Sequence, residues 1–119
     1  MATAVKRILS GSTNGRGIKV AAVATAGTTI HTAVAETTPG TYDEVWIYAY
    51  NSDTVDRTLT IEFGGTTAPD DNITVTVPFK SGLVLVVPGL ILQNGCVVRA
   101  FASVTNVVVV YGYVNAITD

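Results

Sequence analysis

From Thr58 to Phe63 the chain reads TLTIEF, and Leu59, Ile61 and Phe63 alternate with Thr58, Thr60 and Glu62. A period of two sends successive side chains to opposite faces of a sheet, so this run predicts a strand with one buried and one wet face. NITVTVP repeats the pattern with Ile73, Val75 and Val77 on the inward side. YDEVWIYAYN, Tyr42 to Asn51, alternates in another way. There Val45, Ile47 and Ala49 oppose Trp46, Tyr48 and Tyr50, so neither parity is plainly polar. LVLVV (Leu83 to Val87) and NVVVVYGYV (Asn106 to Val114) are apolar on both parities as well. IKVAAVATA, TTIHTAV, LILQ and CVVRAFA complete the set, and no stretch shows helical periodicity. Pro39, Pro69, Pro78 and Pro88 all fall at the ends of these segments, where a missing N–H is tolerated.

Short β-segments separated by turn residues predict an all-β fold: a single-domain antiparallel β-sandwich, jelly-roll-like, of about eight to nine short strands. Residues 1–16 carry little pattern, and GSTNGRG within them reads as a connector. The expected organisation is a flexible N-terminal arm over 1–16 and a β-sandwich domain over 17–119.

A strand that is apolar on both parities can give one face to the sandwich core, and its other face needs a cover. Leaving one valine in water forgoes about 1.5 to 3 kcal/mol of transfer free energy. With no helix predicted, the expected cover is a second copy of the chain, packed about a symmetry axis. Trp46, Tyr48, Tyr50, Val108, Val110 and Val114 are the candidate interface residues. The competing accounts are a strongly coiled barrel or an N-terminal segment folded over its own sheet.

Composition narrows the function. Only 13 % of the 119 residues are charged and the net charge is −2, which argues against direct nucleic-acid binding, because phosphate recognition needs a clustered cationic excess. Lys6, Arg7, Arg16 and Lys19 do make the amino-terminal segment basic, and they form a candidate contact arm. Cys96 stands alone, so no internal disulfide is expected, and a small buried hydrophobe is its simplest role. No run approaches the roughly 20 apolar residues of a spanning helix, nor the h-region of an export signal, so no membrane partner is expected.

No set of residues points to catalysis. His31 is the single histidine, no Ser, Cys or Asp is placed beside it by sequence, and a surface or interface position is expected. Asp70, Asp71 and Asn72, and separately Asp53 and Asp56, offer oxygen ligands without EF-hand spacing, so turn roles are expected and no metal or cofactor. The aromatic row supplies an alternative in a different class. Trp46, Tyr48 and Tyr50, with Tyr42 and Glu44 on the same parity, would make a platform on which sugar rings stack, as in a carbohydrate-binding module.

PGLILQNG (Pro88 to Gly95), VVRAFASVTNVVVVYGYVNAI (Val97 to Ile117) and TYDEVWIYAYN (Thr41 to Asn51) resemble, in sequence and order, the small β-sandwich structural proteins of tailed bacteriophages. The resemblance runs over the layout of residues 17–117. It implies a non-enzymatic virion component assembled in the host cytoplasm. The form it implies is a capsid decoration (cement) protein, a homotrimer that binds the major capsid protein or other virion subunits on the head surface. A head-fibre or tail subunit is the related alternative. In such proteins a terminal arm anchors the subunit, which would give that role to Lys6, Arg7, Arg16 and Lys19.

Overall fold

The computed structural model describes residues 2–119. Its strands are β1 (Thr3–Ile8), β2 (Ile18–Lys19), β3 (Thr28–Thr32), β4 (Tyr42–Asn51), β5 (Arg57–Phe63), β6 (Asn72–Val77), β7 (Val84–Leu92), β8 (Val97–Ala102) and β9 (Val108–Thr118). They form two antiparallel sheets, one in the order β1-β9-β4-β7 with β2 also on β9, the other in the order β3-β8-β5-β6. The pairings nest: β2 lies on β9, β3 on β8, β4 on β7 and β5 on β6, so the chain runs out from β2 to β5 and returns alongside itself. Pairing of β4 with β9 and of β5 with β8 rolls that long hairpin into two facing sheets. This is a jelly-roll sandwich, as the alternating pattern predicts.

The strands with clean periodicity lie where that pattern puts them. The bounds of β4 and β5 coincide with YDEVWIYAYN and RTLTIEF. On β4 the odd residues Val45, Ile47 and Ala49 are fully buried, and they face Leu59 and Ile61 of β5 with Val98 and Ala100 of β8 across the core. Val108, Val110 and Val114 belong to this same core, each with no exposed surface. They are therefore not an outer interface. Register with β4 pairs Val114 with Val45 and Val110 with Ala49, and opposed residues of an antiparallel pair share a face.

Four further expectations are corrected. Residues 1–16 are not a detached arm, because β1 pairs along β9 from Thr3↔Thr118 to Ile8↔Tyr113; Met1 lies outside the described residues. Leu9 then turns inward and is buried to 1 % exposure, closing the core at that end. The strand predicted over 18–26 is regular only at Ile18 and Lys19; Val20 is in the core with its N–H donating to Val108 O at 2.9 Å, Ala22 O accepts the Ala102 N–H at 3.0 Å, and Thr25 and Gly27 reach the outer side of β5. There Glu62, expected on a wet face, accepts bonds from the Gly27 N–H at 2.7 Å and from the Thr25 hydroxyl, and is 1 % exposed. Pro88 sits within β7 and not at its end. The register slips between Val45↔Leu90 and Trp46↔Pro88, a bulge on an edge strand, where proline breaks no ladder.

Candidate functional site

Sheet parity gathers the aromatic side chains on one surface. Tyr42, Trp46, Tyr48 and Tyr50 take the outward parity of β4, while Trp46 pairs with Tyr113 and Tyr48 with Tyr111. All five tyrosines and the single tryptophan therefore stand on the outer face of the β1-β9-β4-β7 sheet. Val109 and Ile117 of β9 join them, with Lys6 and Ile8 of β1 and Lys19 of β2 at the margin. Every ring is half-buried or exposed.

Trp46 is the centre of the face. Its indole stacks on Tyr113 with ring centroids 6.3 Å apart and planes 14° apart, and the Lys6 ammonium lies 4.6 Å from the Tyr113 centroid. On the other side the indole lies against Gly89 of the β7 bulge. A Cβ there would come within 2.8 Å of Trp46 Cζ2, so the indole requires glycine at that position. Gly17 makes similar room for Tyr111, whose Cε2 would be 2.8 Å from an added Cβ. The indole Nε1–H donates to Glu44 Oε1 at 2.7 Å, and the Asn115 Nδ2–H donates to the same oxygen at 2.9 Å. These two donors, Asn115 first, hold the Glu44 carboxyl below its ordinary range, against the opposing pull of burial. The result is an apolar aromatic field with one fixed carboxylate inside it and lysines at its edge.

A second arrangement was not foreseen from sequence. His31 is buried, and its Nε2 lies 2.7 Å from Asp43 Oδ2 while Nδ1 accepts the Ser10 N–H at 3.0 Å. Nδ1 must be unprotonated to accept that bond, so the proton sits on Nε2 and is donated to Asp43. The pair ties the β1–β2 connector, β3 and β4 together at the floor of a cavity of about 690 Å³ that Arg7, Tyr42 and Ile117 also line. With both ring nitrogens engaged inside the protein, the imidazole offers no free lone pair to a bound molecule. One signal for this pair was in the sequence: Asp43 shares the core parity of Val45, Ile47 and Ala49. Asn51, on the same parity at the other end of β4, is likewise buried, and its Nδ2 donates to the carbonyls of Val55 and Val77, each at 2.9 Å.

The other predicted positions separate. Lys6 and Lys19 of the basic segment share the aromatic face, whereas Arg7 takes the opposite parity of β1 and Arg16 lies in the connector. Asp53 bonds Arg57 at 2.7 Å and caps the Thr54 N–H at 2.8 Å, and these bonds lower its carboxyl from the ordinary value, the Thr54 bond most. Asp71 accepts the Thr67 N–H at 3.0 Å and Asp56 the Phe79 N–H at 3.2 Å, so both serve their loops. Among the described residues no group of three or more His, Cys, Asp or Glu side chains is placed to hold a metal ion. Cys96 is free and half-buried.

Compared with known proteins, the chain matches no family model, no curated relative and no solved structure. The surface itself carries the functional argument.

Proposed function

We propose that the chain is a non-enzymatic structural subunit of a bacteriophage virion, a capsid decoration protein that docks as a homo-oligomer on the head through the outer face of its β1-β9-β4-β7 sheet. One observation carries this reading: the protein's tryptophan and all its tyrosines stand on that face, while the opposite outer face is mostly polar, with Thr58, Thr60, Thr74 and Thr76 beside Glu62 and Arg99 and one ring, Phe101. Rigid aromatic rings cover much area at little entropic cost, which is why they anchor protein interfaces. Lys6 and Lys19 at the margin supply the cationic contact that the resemblance assigns to an arm. The mechanism is mechanical. Each copy bridges neighbouring shell subunits, and many weak contacts on one particle act together.

The test is cosedimentation with shells purified without this protein from the phage that encodes it. Saturable binding by the wild type, lost in Trp46→Ala with Tyr113→Ala, supports the reading. Failure of the wild type to bind shells overturns it.

A second reading has an observation of its own. Trp46 is bordered by the Glu44 carboxylate and the Asn115 carboxamide, the combination of ring and polar groups that holds a sugar. Soluble glycan binding that vanishes in Trp46→Ala, with the assembly state unchanged, would favour a carbohydrate-binding module over the virion subunit.

A further inference from the structure

The cavity above His31 has no part in the proposed docking. Arg7 of β1, Ala116 of β9 and Asp43 of β4 lie on the inward parity of one sheet, because Arg7 pairs with Val114 of the core and Asp43 with Ala116. All six residues of β1 are exposed, so the second sheet does not roof this corner. About 690 Å³ is left open there between Arg7, Val34, Ala116, Thr118 and the His31–Asp43 pair.

Asp43 is only 6 % exposed, and its Oδ2 accepts the His31 Nε2–H at 2.7 Å. Its Oδ1 meets no donor among the described residues, yet it is not sealed within the protein, so it opens on the cavity that Asp43 lines. The imidazole is neutral, because its Nδ1 accepts the Ser10 N–H. A buried carboxylate is thus left with one donor and no cation, which is costly until a charged donor reaches it. Arg7 is the opposite case. Among the described residues it makes no ion pair, the two pairs present being His31–Asp43 and Arg57–Asp53. Since β9 lies between β1 and β4, the backbones that carry Arg7 and Asp43 are two strand spacings apart, about 10 Å.

We infer that this cavity binds a small zwitterion, an ammonium and a carboxylate on an aliphatic body, as in a free amino acid. The ammonium donates to Asp43 Oδ1, the carboxylate takes the Arg7 guanidinium, and the body lies on Val34 and Ala116. His31 is a positioning residue, holding Oδ2 so that Oδ1 faces the ligand. Charge selects this class. A simple amine would leave Arg7 without a counter-ion, a simple carboxylate would bring a second anion to Asp43, and a neutral polyol would answer neither charge. Both charged groups face inward, so an occupied cavity leaves the aromatic face free for the shell, and the site stands whether or not the virion reading does.

The experiment is titration calorimetry of the full chain with L-alanine, L-valine and L-leucine, each beside its amide, which lacks the carboxylate, and its deaminated acid, which lacks the ammonium. Saturable binding of at least one amino acid is expected, with its amide and its deaminated acid each at least tenfold weaker. Arg7→Ala should weaken the amino acid at least tenfold and leave the amide unchanged, a difference that a merely structural role would not produce. Asp43→Asn should weaken the amino acid and spare the deaminated acid. Circular dichroism checks the fold, and Arg7→Ala, at an exposed position, carries the test alone if Asp43→Asn does not fold. Silence from all three amino acids, an amide or deaminated acid that binds as tightly as its parent, or indifference to Arg7→Ala overturns the inference. Glucose that binds where the amino acids do not also overturns it, and would give the cavity to polyols. Shell cosedimentation remains the separate test of the proposed function under each of these results.

Discussion

The two outer faces of the sandwich are built on the same backbone geometry and carry opposite chemistry. On the β3-β8-β5-β6 sheet, Thr58 opposes Thr76 and Thr60 opposes Thr74, so outward positions hold short hydroxyl side chains beside the charged Glu62 and Arg99, with one ring, Phe101, opposite Thr60. On the β1-β9-β4-β7 sheet the equivalent positions hold Trp46, Tyr48 and Tyr50 against Tyr113, Tyr111 and Val109. Fold stability explains the first face: β-branched threonine suits a pleated, solvated surface. It does not explain the second. Rings left at a sheet surface forgo part of their transfer free energy, and the proposed docking would recover it.

Several substitutions break or sharpen that contrast. The largest effect belongs to the boundary between inner and outer parity: Val108→Asp places an unpaired charge in the core and should cost about 3 to 5 kcal/mol, enough to unfold a marginal domain. Denaturant titration measures it, and a folded, merely disassembled variant would return Val108 to the surface. Next, Trp46→Ala with Tyr113→Ala should weaken shell binding at least tenfold. Thr58→Ala with Thr76→Ala on the opposite face should leave binding unchanged and alter stability by no more than about 0.5 kcal/mol per site.

Glu62 tests the part of the threonine face that is closed to water, where Thr60 is buried as well. Glu62→Ala removes the acceptor for the Gly27 N–H and the Thr25 hydroxyl, and should cost about 1 to 3 kcal/mol while sparing binding. Amide exchange at Gly27 would rise if the 20–27 segment is held this way. The smallest effect is the pH dependence of Glu44. Its carboxyl is lowered in the folded state, so its contribution is present above the ordinary value of 4.5 and fades as pH falls through the lower folded value. The stability gap between wild type and Glu44→Gln should therefore be seen at neutral pH and close below that range; a gap that widens in acid would contradict the assigned bonds.

What was legible in the sequence was whatever local alternation decides. β4 and β5 emerge with their bounds intact because each alternates apolar residues with side chains of another kind. The parity of β9 was not legible. VVVVYGYV is apolar on both sides, and only its register with β4 sends Val110 and Val114 inward and Tyr111 and Tyr113 outward. β1 has no periodic burial of its own and is a strand because the long edge of β9 offers it partners. The burial of Glu62 depends on a segment some 35 residues away in the chain. Alternation alone puts Tyr42, Trp46, Tyr48 and Tyr50 on one parity of β4, whereas Tyr111 and Tyr113 join them only through the pairing with β9.

Trp46 is the only tryptophan and lies at the centre of the aromatic face, so its fluorescence reports that face alone. The measurement is acrylamide quenching of the wild-type protein, free and bound to shells at saturating occupancy. If the face docks, binding shifts the emission to shorter wavelength and lowers the quenching constant severalfold. Saturated binding with an unchanged spectrum and unchanged quenching would show the rings still in water, and the aromatic face would not be the docking surface.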